Sequence, residues 1–250
     1  MTGMLASVAN LAEARLVAEA GVDIIDLKKP AAGALGALSV AEVAAVVAAL
    51  GGEWPISATV GDLPMEPAIV VPAVEAMAAT GVDYVKIGFF PCGDWAGVIA
   101  GLKPLAERGL RLVAVLFGDQ AHDLGWVAML AEAGFAGAML DTADKARGSL
   151  RQVCEPGYVR EFVAEGRRLG LLCGLAGSLR AADVPSLLAF EPDYLGFRGA
   201  LCSGGRTGGL DPDAVLQMLT LLKSPCASLE PLGGYVGRAQ FFGRQTDRSG

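Results

Sequence analysis

The sequence predicts a single (β/α)8 barrel. Eight short β-rich runs alternate with eight longer amphipathic runs, the spacing is even with no internal linker, and 250 residues match one closed barrel. An open doubly wound sheet shares the alternation, but the count and spacing favour closure.

Strands are expected at Met4–Val8, Val22–Lys28, Ile56–Val60, Tyr84–Phe89, Leu112–Phe117, Ala136–Asp141, Leu171–Ala176 and Tyr194–Arg198. Helices are expected after each, over about 10–20, 39–50, 67–80, 94–108, 124–134, 157–169, 180–190 and 211–222. Asn10, Ser39, Asp94 and Asp123 are good N-caps, because a short polar side chain can accept from the orphan N–H groups of a first turn. Gly21, Gly81 and Gly134 end helices just before the next strand. The barrel domain is placed at residues 1–223. Residues 224–250 turn to Ser, Pro, Gly and Gln and are read as a C-terminal extension, partly ordered at best.

With 53% apolar and 19% charged residues, the chain has ample material for a core. No apolar run reaches the ~18 residues of a membrane span; Glu13, Glu42 and Glu75 interrupt the candidates. The N-terminus lacks a basic segment before its apolar stretch, so a cytoplasmic protein is expected. A net charge of −7 argues against nucleic acid and anionic membranes as partners. The five cysteines, Cys92, Cys154, Cys173, Cys202 and Cys226, are odd in number and show no CxxC spacing, against both a disulfide framework and a zinc site. The single histidine, His122, excludes a multi-His metal site.

In this fold the site lies at the C-terminal ends of the strands, so polar groups there are informative. Side chains alternate across a strand, and Ile25 and Leu27 should face the helices, which turns Asp26 and Lys28 into the barrel mouth. The same alternation turns Lys86 inward. The sixth strand ends at Asp141, followed by Thr142 and Lys145, and the eighth ends at Arg198. All lie on even-numbered strands, which contribute to a common interior layer, so Lys28, Lys86, Asp141 and Arg198 are expected to meet near the top. Partial burial and neighbouring positive charge lower a lysine pKa, and the neutral amine is a nucleophile toward carbonyls. Asp26 and Asp141 would hold the cluster near neutrality and move protons. A purely structural salt-bridge network is the alternative.

Small residues after the seventh and eighth strands, Gly177 and Ser178, then Gly199, Ala200, Gly204 and Gly205, expose backbone N–H groups in the usual phosphate-binding place of this fold, and Arg198 is expected with them as a substrate- or phosphate-binding residue. Cys202 reads as a packing residue, His122 as a solvated loop residue, Ser57 and Thr59 as pocket lining, and Lys29 and Lys103 as surface groups.

The chain resembles the (5-formylfuran-3-yl)methyl phosphate synthase (4-HFC-P synthase) family over about residues 4–222. The resemblance rests on Asp26-Leu-Lys-Lys-Pro30 with Gly33-Ala-Leu-Gly36, Ser57-Ala-Thr-Val-Gly-Asp62, and Asp83-Tyr-Val-Lys-Ile-Gly88. It continues in Ala138-Met-Leu-Asp-Thr-Ala143 with Lys145, Ala176-Gly-Ser-Leu179, and Arg198-Gly-Ala-Leu-Cys-Ser-Gly-Gly205. It implies the condensation of two glyceraldehyde 3-phosphate molecules, with loss of one phosphate and water, to a furan precursor of methanofuran. It further implies Lys28 as Schiff-base lysine, Lys86 as proton acceptor, Asp26, Asp141 and Lys145 as supporting acid–base groups, and no metal or organic cofactor. A homo-oligomer is left open. Lys29 stands where asparagine is expected, the segment from Phe117 to Asp123 is short, and the C-terminal tail is extra. Another class I aldolase, or a barrel that only binds a phosphate metabolite, remain as competing readings.

Overall fold

A computed structural model describes residues 1–120 and 122–223. Eight parallel strands close into a barrel in sequence order. They are β1 (Gly3–Val8), β2 (Ile24–Leu27), β3 (Ile56–Thr59), β4 (Tyr84–Gly88), β5 (Leu112–Phe117), β6 (Gly137–Asp141), β7 (Leu172–Leu175) and β8 (Tyr194–Phe197). Around them lie α1 (Leu11–Ala20), α2 (Val40–Leu50), α3 (Pro67–Ala78), α4 (Trp95–Glu107), α5 (Gly125–Glu132), α6 (Leu150–Val153), α7 (Pro156–Arg168), α8 (Val184–Leu188) and α9 (Pro212–Lys223). No helix among the described residues is long and apolar enough to cross a membrane. The expected extension at 224–250 lies outside the described residues.

Every expected strand is present, but several stop one residue early, so Lys28 and Arg198 stand just beyond β2 and β8. Asn10 caps α1 through the Glu13 N–H, Ser39 forms a capping box with Glu42, and Asp94 caps α4 through Gly97 N–H. Asp123 sits one residue before the N-cap Leu124 and still accepts from Gly125 N–H at 2.8 Å. Two helical expectations change. An extra single turn, α6, precedes α7, and the segment after β7 is a 3-10 turn followed by the short α8, with Pro185 in its first turn.

The bottom of the barrel repeats one device. Asp23, Asp83 and Asp193, each just before an even-numbered strand, accept the N–H of Met4, Ile56 and Cys173 on a neighbouring odd-numbered strand, at 2.7, 2.9 and 2.7 Å. These bonds satisfy edge donors that the ladder leaves over and fix which face of each strand turns inward. Ile25, Leu27, Val85, Ile87 and Leu140 accordingly pack on the helices. Leu5, Ile24, Tyr84, Val113, Phe117, Met139 and Tyr194 fill the interior.

Candidate active site

The pairing register sets Ser7, Asp26 and Ser57 side by side on β1, β2 and β3. Asp26 is fully buried and accepts from Ser57 Oγ at 2.7 Å, Ser7 Oγ at 2.9 Å and Lys86 Nζ at 2.9 Å. Burial pushes the Asp26 carboxyl up, but Lys86 and Lys28 outweigh it and hold the acid below its usual range. Across the mouth, Lys145 Nζ is ion-paired with Asp141, which also accepts from Thr142 N–H at 2.7 Å. Burial again opposes ionisation there, while Lys145 and Lys28 bring Asp141 down to about 2.

Lys28 stands between these two pairs. Among the described residues its amine makes neither a hydrogen bond nor an ion pair, although it is only 7% exposed. Burial lowers its pKa most, Asp141 and Asp26 raise it, and Lys145 and Lys86 lower it further, for a value of about 8. Near pH 7.5 about a quarter of such an amine is neutral, against roughly a thousandth of an ordinary lysine. The three lysines are thus unequal: Lys86 and Lys145 are ion-paired with carboxylates, and Lys28, unpaired among the described residues, is the one whose amine can attack a carbonyl.

Lys28, Lys86, Asp141 and Lys145 line a cavity of about 340 Å³, with Leu5, Ser7 and Met139 from the strands and the segments that end and follow β7 and β8 as the rest of its wall. Among the described residues the backbone N–H groups of Ser178, Gly199 and Ala200 donate to no protein acceptor, and all three residues line this cavity. Gly177 brings its loop close to β6: a Cβ there would lie 2.8 Å from Thr142 Cγ2 and 2.9 Å from Thr142 N, and its φ is +102°. Gly177→Ala is therefore expected to cost about 1–3 kcal/mol and to weaken inorganic phosphate binding; urea denaturation and calorimetry check both. Gly204 and Gly205 also have positive φ, with no crowding at either.

Arg198 lines the same cavity as Lys28, Lys86 and Asp141, but its guanidinium is taken up by other partners. It is paired with Glu13, and its remaining N–H donors go to the backbone carbonyls of Ser7, Arg206 and Gly208 at 3.2, 3.0 and 2.6 Å. It ties the loop after β8 to β1 and α1. Further cationic groups lining the cavity are Arg180 and Arg206, the latter donating to Gly33 O at 2.9 Å.

Ser57 and Thr59 face inward but serve Asp26 and Gly36 O. Cys202 Sγ lies 3.1 Å from Arg198 O and burial pushes its thiol up, as suits a packing residue. His122 stacks near Trp95, with ring centroids 5.0 Å apart, beside a separate cleft between the loops after β4 and β5. Asp119 accepts Ala143 and Asp144 N–H at 2.8 and 2.9 Å and so steadies the loop carrying Lys145. Ser7, Glu13, Arg180 and Asp119 were not foreseen. The alternation test applied to β1 finds Ser7, whereas the other three depend on loop and helix placement.

A sequence profile of the 4-HFC-P synthase family matches residues 4–219. A (5-formylfuran-3-yl)methyl phosphate synthase from Methanocaldococcus jannaschii is 33% identical over 88% of this chain and 99% of its own. One from Archaeoglobus fulgidus is 31% identical over 86% and 97%. A relative from Methylorubrum extorquens, whose name points to the same activity, is 40% identical over 88% and 92%. Among solved structures, the phosphoribosyl anthranilate isomerase of Thermus thermophilus superposes with a TM-score of 0.61 at 14% identity, over 89% of this chain and 98% of its own. That likeness concerns the fold.

Proposed function

This chain belongs to the 4-HFC-P synthase family, and on that premise we propose that it condenses two glyceraldehyde 3-phosphate molecules through a Schiff base on Lys28. The product is (5-formylfuran-3-yl)methyl phosphate, for a methanofuran-type cofactor made in the cytoplasm. The observation that carries the reading is the buried Lys28 amine, unpaired among the described residues, between two carboxylate-bound lysines.

The neutral Lys28 amine adds to one aldehyde, and the carbinolamine loses water to give an iminium ion. Lys86 enters as the ammonium partner of Asp26 and donates the proton that leaves with that water. Now neutral, it accepts the proton from the carbon next to the iminium. The enamine attacks the aldehyde of the second molecule and forms the new carbon–carbon bond. Ring closure through oxygen and the eliminations expel one phosphate and, in total, two waters, and the Lys28 amine is released. Two triose phosphates, less phosphoric acid and two waters, account for every atom of the product. In this reading Lys145 offsets charge on the departing phosphate, and the N–H groups of Ser178, Gly199 and Ala200 with Arg180 or Arg206 bind the retained one; that all of them line one cavity supports it.

Borohydride reduction during turnover of glyceraldehyde 3-phosphate should leave a stable adduct on Lys28, mapped by mass spectrometry, with a furan product released in its absence. An adduct on Lys86 or Lys145 would reverse the roles. An adduct with a different product would favour another lysine-dependent aldol reaction, and phosphate binding with no adduct would leave a barrel that binds without reacting.

A further inference from the structure

The chain after Lys28 does not leave the barrel mouth. Lys29 N–H donates to Gly36 O at 2.7 Å, so residues 30–35 double back as a strap. Thr59 Oγ1 donates to the same carbonyl at 3.3 Å. The turn sends Ala34 and Leu35 inward, where the fully buried Leu35 joins Phe117 and Met139 in the apolar layer inside the barrel. Met139 lines the same cavity as Lys28.

One side chain, Asp62 from the loop after β3, holds this strap. Its two carboxylate oxygens accept Ala34 N–H at 2.8 Å and Leu35 N–H at 2.7 Å. The fit is close: a Cβ on Gly33 would lie 2.2 Å from Asp62 Oδ2, and Gly33 has a φ of +127°. From the far side of the mouth, Arg206 donates to Gly33 O at 2.9 Å.

We propose that Asp62 is a positioning residue for the reaction at Lys28: it clamps the strap whose apolar side chains keep water from the amine. The proposal rests on the reading of Lys28 as the nucleophile. A lysine one residue past a strand end ordinarily snorkels into solvent, yet Lys28 is 7% exposed. Burial is also the largest influence on its proton affinity, so whatever keeps it covered sets how much free amine exists at neutral pH. The strap is the segment that follows it, and two charge-assisted hydrogen bonds from Asp62 give that segment its position. Asp62 itself lies outside the reacting groups.

The test is competitive acetylation of the intact protein with acetic anhydride over a pH series, read at the Lys28 peptide by mass spectrometry, with exposed Lys103 as internal control. In wild type the Lys28 midpoint is expected near about 8. Asp62→Asn puts an amide N–H against a backbone N–H and frees one end of the strap. Leu35→Ala thins the cover without touching the carboxylate. Both should move the Lys28 midpoint up by about one unit and lower turnover near pH 7 roughly tenfold, leaving Lys103 unchanged. Should Asp62→Asn fail to fold, Leu35→Ala decides. An unmoved midpoint in folded variants overturns the role of Asp62 and leaves the Lys28 reading intact. A wild-type midpoint near about 10 removes the Lys28 reading, and the role of Asp62 with it.

Discussion

Lys28→Met is expected to yield a protein that makes no product and is more stable than wild type near neutral pH. In the folded state the Lys28 amine holds its proton only up to about pH 8, whereas in the unfolded chain it holds it to the ordinary lysine value of 10.5. Between those limits the unfolded state binds more protons, so wild-type stability rises with pH. Below about pH 8 the folded protein carries the full cost of burying the ammonium, on the order of 3 kcal/mol at 1.36 kcal/mol per unit. Methionine keeps most of the apolar stem and brings no charge. The variant should exceed wild type by about 1–3 kcal/mol near pH 7 and lose that advantage above about pH 10. Product formation should fall by roughly four orders of magnitude or more. Urea denaturation at both pH values and a product assay read the two effects. A variant less stable than wild type near pH 7 would mean that the folded protein satisfies the ammonium, leaving the amine no reason to be nucleophilic.

Such a trade of stability for reactivity was partly legible in the sequence. Strand alternation turned Asp26, Lys28, Lys86 and Asp141 inward because each lies on, or just beyond, a short strand whose other face is apolar, and a one-residue slip would have exposed that face. The alternation could say which side chains turn inward, but not which of them pair. The pairing depends on stagger between neighbouring strands: Asp26 lies level with Ser57, which puts Lys86, one residue pair higher on β4, within reach of its carboxylate. Lys145 reaches Asp141 because their loop turns back at Thr142, which strand periodicity does not describe. Asp62 was visible as part of a motif, yet its hydrogen bonds run to a strap 27 and 28 residues earlier in the chain, a contact that local pattern carries no trace of. The division between one free lysine and two bound ones therefore belongs to the tertiary structure.

Arg198 shows the same limit, and it leads to the second large effect. At a strand end beside a glycine-rich loop, an arginine reads as a phosphate ligand. Its guanidinium is instead buried against Glu13, the two side chains being 6% and 12% exposed. Removing one member of such a pair leaves an uncompensated buried charge, at about 3–5 kcal/mol. Glu13→Ala is thus expected to lose stability in that range, more than Glu13 could account for as a first-turn residue of α1. Because Arg198 also donates to Arg206 O and Gly208 O, the loop after β8 should loosen, and phosphate affinity should drop about tenfold. The double change Glu13→Leu with Arg198→Met removes the charge as well as its partner, so it should recover part of the stability. Recovery stays partial because the carbonyls of Ser7, Arg206 and Gly208 lose their donor. Phosphate affinity should remain low in the double variant, since the loop still lacks its anchor. Denaturation curves and phosphate calorimetry on the three proteins separate the cases. Wild-type affinity in Glu13→Ala would show that the loop is shaped independently of this pair, and a double variant weaker in stability than the single would show that the ion pair was not the source of the loss.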